Sequence, residues 1–173
     1  LFLNDGNGNF TQSMDALPGI DASASCVEAA DFDGDGDQDL FVGGRLKPAE
    51  YPLSPRSYLL QNDGGRFVDV TASLNQSLVE PGMVSSAAWV DYNNDRRTDL
   101  ILTGEWQPIR VFRNDGSKFT EVTEDLGLSK THGWWNCIQV ADLNKDGYMD
   151  IVVGNTGKNS FFSPSVEHPV QVV

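Results

Sequence analysis

The chain has 173 residues, 39% of them apolar, and a formal net charge of −13. That length and apolar content suffice for a domain with a sizeable core, and the acidity argues against nucleic acid or anionic membrane as partners, because phosphates would be repelled. No apolar run approaches the roughly 18 residues needed for a membrane-spanning helix, and two cysteines are far too few for a disulfide scaffold.

The chain opens on LFLNDGNGNFT, already a strand–turn–strand pattern, so residue 1 is not expected to be a natural start. The Asn-Asp-Gly turn tolerates positive φ and is a strong hairpin signal. The same pattern returns as YLLQNDGGRFVDVT from Tyr58 and VFRNDGSKFTEVT from Val111. A second marker runs out of phase with it: DFDGDGDQDLFVGG from Asp31, DYNNDRRTDLILTG from Asp91 and DLNKDGYMDIVVGN from Asp142. The two markers share a period of 50 to 60 residues, the signature of a repeat protein.

Each unit reads as four short strands. An apolar run precedes each acidic loop (SASCVEAADF, SSAAWVDY, NCIQVADL), and a β-branched run closed by Gly or Asn follows it (LFVGG, LILTG, IVVGN). Strands three and four flank the Asn-Asp-Gly turn. GLSKTHG and ALPGIDAS are too broken for more than short turns, and no segment carries a helical period over three turns. The expected fold is therefore all-β, built of four-stranded antiparallel propeller blades. The expected divisions are the last two strands of one blade (1–24), full blades over 25–84 and 85–132, and the first part of the next over 133–173, about three blades of a larger propeller. FFSPSVEHPVQVV then begins outer strands or a linker. Cys26 and Cys137, each five residues before an acidic loop, are expected to be equivalent buried thiols.

Five aspartates at alternate positions must repel one another unless a cation sits among them. In the first loop, positions one, three, five and nine are Asp31, Asp33, Asp35 and Asp39, with the backbone carbonyl of Asp37 at position seven. The third loop supplies Asp142, Asn144, Asp146 and Asp150, with the carbonyl of Tyr148. The middle loop supplies Asp91, Asn93, Asp95 and Asp99, with the carbonyl of Arg97. So many hard oxygens suit calcium, whereas zinc would call for His or Cys. Glycine at position six (Gly36, Gly147) permits the sharp turn. Arg96 stands there in the middle loop, which is expected to be the weakest site, empty or with Arg96 partly replacing the ion. An EF-hand is excluded: position twelve holds Val42, Leu102 and Val153 rather than Glu, and the flanks read as strands.

The pattern DxDxDGxxDL followed by a glycine-terminated strand resembles the FG-GAP/VCBS repeat, the blade type of integrin α-subunit propellers. More narrowly, GEWQPIRVFRNDG and GWWNCIQVADLNKDGYMDIVVGNTGKNS are similar to large bacterial VCBS-repeat proteins that often carry an ASPIC/UnbV-type domain. The resemblance implies a calcium-binding propeller at an extracellular, cell-surface or periplasmic location. It implies calcium-ligand roles for the residues just named and fixes no substrate.

Outside the loops, RLKPAEYPLSPR (45–56) is expected either to protrude as a partner-binding element or to pack on a neighbouring blade. GWWN places Trp134 and Trp135 on opposite sides of a strand. With Asn136 and Trp106 nearby they suit either sugar stacking or core packing. His132 and His168 have no evident nucleophile or ligand beside them, and Lys158 and Asn159 read as loop polar groups. No GxSxG, HExxH, P-loop or dinucleotide fingerprint occurs. The reading expected is a non-catalytic, calcium-binding propeller segment of an exported protein, with an unidentified protein or glycan ligand and further blades of its own chain as partners. The alternative is part of a propeller-type carbohydrate-active enzyme resembling a polysaccharide lyase.

Overall fold

A computed structural model describes residues 1–157. Lys158, Asn159, His168 and the C-terminal run FFSPSVEHPVQVV lie outside the described residues. Among the described residues twelve strands form antiparallel sheets. β1 (Phe2–Asn4) and β2 (Phe10–Gln12) make a hairpin. β3 (Ser23–Ala30), β4 (Asp39–Leu46), β5 (Tyr58–Asp63) and β6 (Arg66–Asp69) form one four-stranded sheet in sequence order. β7 (Met83–Val90), β8 (Asp99–Gln107), β9 (Arg110–Asn114) and β10 (Phe119–Glu121) repeat it. β11 (Gly133–Ala141) and β12 (Asp150–Asn155) repeat its first hairpin. The all-β, blade-like architecture expected from the periods is the architecture found.

Missed in the sequence reading is a single α-helical turn, α1 (Thr71–Leu74), followed by a 3-10 turn at Gln76–Leu78. Four residues are too few to carry a period. Thr71 starts the helical turn: its amide and hydroxyl both donate to Asp69 Oδ1, at 3.0 and 2.6 Å, and its hydroxyl oxygen accepts the Leu59 amide at 2.8 Å.

The blades pack face to face, and this explains why the second strands are apolar without alternation. Along β8, Leu100 and Leu102 face the first blade, where Phe41 and Leu59 meet them together with Val84, Phe112 and Phe119 of their own blade. Ile101, on the opposite face, packs with Val111, Val122 and Ile138 toward the third. A strand buried on both faces needs apolar residues at every position, and each such side chain contributes about 1.5–3 kcal/mol. A third cluster joins Val42, Tyr58, Leu60 and Phe67 to Leu17 and Ile20.

First strands of consecutive blades lie side by side, β3 against β7 and β7 against β11. Each carries a β-bulge at the same place in its repeat, at Ser25, Ser85 and Asn136. The bulge re-aims its side chain: Ser25 Oγ donates to the Val84 carbonyl of the next blade at 2.6 Å. Trp89 Nε1 returns the link, donating to the Glu28 carbonyl at 3.1 Å. β8 outruns its partner β9, which pairs only with Leu100–Leu102. Its free end takes up Gly133 and Trp134 of β11, opposite Gln107 and Glu105.

The cysteine expectation is corrected in part. Cys26 is half-buried, with Val84 of the next blade beside its partner Gly43, and burial pushes its thiol above the usual range. Cys137 is exposed, because among the described residues no further blade covers its face of β11. Among the described residues no helix is long and apolar enough to cross a membrane.

Candidate metal centre

Each acidic loop joins the first strand of a blade to the second, and the three share one pattern of aspartate-to-backbone hydrogen bonds. In the first loop both oxygens of Asp31 accept amides, from Gly34 at 2.7 Å and Gly36 at 3.0 Å. Asp33 Oδ1 accepts from Asp35, and Asp35 Oδ1 from Asp37, at 3.2 and 3.0 Å. The third loop repeats this: Asp142 accepts from Lys145, Asp146 and Gly147, Asn144 from Asp146, and Asp146 from Tyr148. In the middle loop Asp91 accepts from Asp95 and Arg96, Asn93 from Asp95, and Asp95 from Arg97. The amides fold each loop inward, but among the described residues only the first brings three carboxylates together; Asp91, Asn93, Asp95 and Asp99 of the middle loop and Asp142, Asn144, Asp146 and Asp150 of the third form no such trio.

Positive φ occurs at position six, as the sequence requires, at Gly36 (99°) and Gly147 (90°), and also at Arg96 (70°). Position four is left-handed too, at Gly34, Asn94 and Lys145, a second strained position that sequence reading did not identify.

The ninth aspartate is the anchor. Asp39 is fully buried, its Oδ2 accepting the Phe32 amide at 3.0 Å and its Oδ1 the Asn62 amide at 2.8 Å. Asp99, equally buried, accepts from Tyr92 and Asn114, the latter at 2.7 Å. Asn62 and Asn114 are the asparagines of the Asn-Asp-Gly turns, so the two out-of-phase sequence markers meet at this carboxylate. Burial raises the Asp39 carboxyl above its usual range, the charges of Asp33 and Asp37 adding to it. Burial likewise pushes Asp99 up to about 6. A divalent cation would favour the charged form of both.

Of the expected ligands, the structure gathers Asp31, Asp33 and Asp39, whose carboxylate oxygens lie within 4.8 Å of one another. Oxygens about 2.3–2.6 Å from a calcium ion stand up to about 5 Å apart across it, so this spacing fits. Asp35 and Asp37 lie outside that trio. One oxygen of Asp37 is nonetheless buried without a hydrogen-bond partner among the described residues, and burial followed by the charge of Asp35 raises its carboxyl. A buried, unpartnered carboxylate oxygen in an acidic loop is a group that a hard cation would satisfy. The residues present therefore fit the ion that the pattern implies. The Asp31, Asp33 and Asp39 carboxylates would hold it, with Asp37 beside them.

In the middle loop the cationic neighbour is Arg97, not Arg96. The Arg97 guanidinium donates to Asp95 Oδ2 at 2.9 Å and to the Asn114 carbonyl at 2.8 Å. The sequence assigned Arg97 only a backbone carbonyl, since which of two adjacent arginines turns inward depends on the third strand of its blade, whose Asn114 carbonyl accepts from it.

The 45–56 segment packs on the neighbouring blade. Arg45 forms an ion pair with the buried Glu105 on β8. The Tyr51 hydroxyl donates to the same carboxylate at 3.3 Å and accepts from Trp106 Nε1 at 2.7 Å. Trp134 leans on Trp106, with ring centroids 5.2 Å apart at 43°. Trp135 packs with the second core group and donates to the Thr131 carbonyl at 3.0 Å. Both tryptophans are half-buried, and Asn136 and His132 are exposed.

A model of the FG-GAP-like repeat matches residues 1–42 and 91–153, which include all three acidic loops. The chain belongs to the FG-GAP-like repeat family. Its FG-GAP repeats account for the blades and for the position of each acidic loop within its blade. No curated protein matches the chain.

Proposed function

We propose that the chain is a non-catalytic, calcium-binding propeller segment of an exported or cell-surface protein, working by presenting its blade surfaces to a protein or glycan ligand. The observation that carries the calcium assignment is the convergence of Asp31, Asp33 and Asp39, three carboxylates gathered within 4.8 Å with Asp39 fully buried. Calcium, when bound, supplies charge neutralisation at the hairpin. The chain's own residues do the rest: the aspartates fold the loops through backbone amides, and Asn62 and Asn114 tie the first and middle loops to the third strands of their blades. The role is a clamp, in which binding free energy becomes folding free energy. Modules that bind calcium at the high concentrations outside cells tolerate sites of modest affinity, and this suits an exported protein. The likeness to large bacterial VCBS-repeat proteins with ASPIC/UnbV-type domains belongs with this reading. Further blades of the same chain would cover the exposed apolar residues of the terminal hairpins, such as Phe2 and Phe10 at one end and Val152 at the other.

Thermal unfolding with calcium and with chelator tests the clamp. A melting temperature that rises with calcium concentration is expected, by mass action on the folded state. Coincident melts in millimolar calcium and in excess chelator would remove it.

A further inference from the structure

The three gathered carboxylates of the first loop are not held alike. Asp31 accepts two backbone amides and the buried Asp39 two more, all at 3.0 Å or less. Asp33 is exposed and accepts one amide within the loop, that of Asp35, at 3.2 Å, the longest of these bonds. Its second oxygen accepts from Gln61 Nε2, which reaches across from β5. Asn62, the next residue of β5, holds Asp39 through its backbone amide and the Gln38 carbonyl through its side chain, at 2.8 and 3.1 Å. One dipeptide of the third strand therefore orients two members of the trio. The other loops supply the donor differently. Their third position is asparagine, and its side-chain amide donates to the fifth-position aspartate: Asn93 to Asp95 at 3.1 Å and Asn144 to Asp146 at 2.9 Å. An ionised aspartate only accepts, so in the first loop the N–H comes from outside. Arg113, which stands in the second blade where Gln61 stands in the first, donates instead to Asp115 of its own turn at 2.7 Å.

We infer that Gln61 is a positioning residue for the calcium site: its side-chain amide keeps the Asp33 carboxylate beside those of Asp31 and Asp39 and so sets the affinity of the first loop. A carboxylate has about four acceptor positions, so one donor fixes its orientation and leaves lone pairs for a cation. The amide is neutral and brings no charge to oppose the ion, as a guanidinium in its place would. Without it, an exposed aspartate samples several rotamers in water, and cation binding has to order it first. Partners of this kind, hydrogen-bonded to a ligating carboxylate, typically change metal affinity about 10- to 100-fold. The role of Gln61 rests on the calcium reading proposed above and deepens it, naming a residue outside the loop on which the clamp depends.

An amide chemical-shift titration of the full chain with calcium alone tests this, because it follows each loop separately. Gln61→Met keeps the length of the side chain and removes its donor. The calcium midpoint at Gly34–Asp37 should rise about tenfold in this variant, while the midpoint at Lys145–Tyr148 stays where it is. In excess chelator the variant should melt with the parent, whereas a side chain that only braced the fold would lower that melt. Asp33→Asn gives the first loop the self-donating residue of the other two, and beside it Gln61→Met should add no further loss. An unchanged first-loop midpoint in Gln61→Met overturns the inference. So does a loss that persists in full beside Asp33→Asn, an equal shift of the third-loop midpoint, or a lowered melt in chelator. Calcium shifts in the parent that spare the first loop overturn it and leave a clamp at the third loop standing. A parent without calcium shifts in any loop sinks the calcium reading and the role of Gln61 together.

Discussion

The side-chain amide of Asn114 donates to the carbonyl of Phe32, 82 residues earlier, at 2.6 Å. Asn114 is buried, and the same nitrogen lies 3.2 Å from the Thr98 carbonyl while its backbone amide holds Asp99. One turn residue thus anchors the acidic loop of its own blade and grips that of the blade before. Asn114→Ala should cost about 1–3 kcal/mol by leaving buried carbonyls unpaired. Asn4, its exposed counterpart, accepts among the described residues only from the Gly6 amide, and Asn4→Ala should stay within about 0.5 kcal/mol. Urea midpoints compare the two, and equal costs would deny the cross-blade bond any weight.

Gly44 sits where the returning 45–56 segment crosses its own strand. A Cβ there would land on the Arg56 carbonyl, and the Gly44 amide is held by Ser57 Oγ at 3.0 Å. Gly44→Ala should therefore cost about 2–3 kcal/mol, the scale of overpacking against backbone. Gly19, with open space around it, serves as the control, and its alanine variant should melt like the parent.

Arg96 holds φ at 70° where the other two loops have glycine. The side chain that meets Asp95 belongs to Arg97, so removing that of Arg96 forfeits no hydrogen bond among the described residues. Arg96→Gly should stabilise the chain by about 1 kcal/mol through relief of left-handed strain. A lower melting temperature would show that the guanidinium contributes more than the backbone costs.

The three loops should respond unequally to loss of their first aspartate. Asp91→Ala removes a carboxylate from a loop that already has Arg97 as an internal cation, whereas the first and third loops have no such ion pair among the described residues. In calcium, Asp31→Ala and Asp142→Ala should each lower the melting temperature more than Asp91→Ala. In excess chelator the gap should narrow. An Asp91→Ala variant as damaging as the others would place an equal clamp in the middle loop.

Acid should weaken the second blade at its outer hairpin. Glu121 receives two hydrogen bonds from Arg110, at 2.9 and 2.6 Å. Burial acts to raise its carboxyl, but the Arg110 guanidinium and the Thr123 hydroxyl outweigh this and hold it below its usual value of 4.5. A folded-state value below the unfolded one contributes stability that is present above about pH 4.5 and lost as pH falls through the folded value. The pair is partly exposed, which limits the contribution to about 1 kcal/mol or less. Glu121→Gln should flatten that part of the acid arm in denaturation curves taken from pH 6 to 3, and an unchanged slope would assign the acid sensitivity to other carboxylates.

Much of this protein is legible in its residues alone, because its repeats state each blade several times. Asn-Asp-Gly turns fix hairpins by local backbone chemistry, LFV and LIL announce strands largely buried on both faces, and IVV marks the equivalent strand of the third blade, where Ile151 and Val152 are exposed. Carboxylates at alternate positions, with glycine at the sixth, declare a loop folded around its own side-chain oxygens. These are short-range signals, and their periodicity identifies the architecture without any long-range information. Tertiary structure decided the rest. It brought the Asn-Asp-Gly turn onto the ninth aspartate, chose Arg97 over Arg96 as the inward cation, and folded the 45–56 segment onto Glu105. Each of these depends on which strands meet, within a blade or between two, through contacts 15 to 60 positions apart and therefore absent from any local pattern.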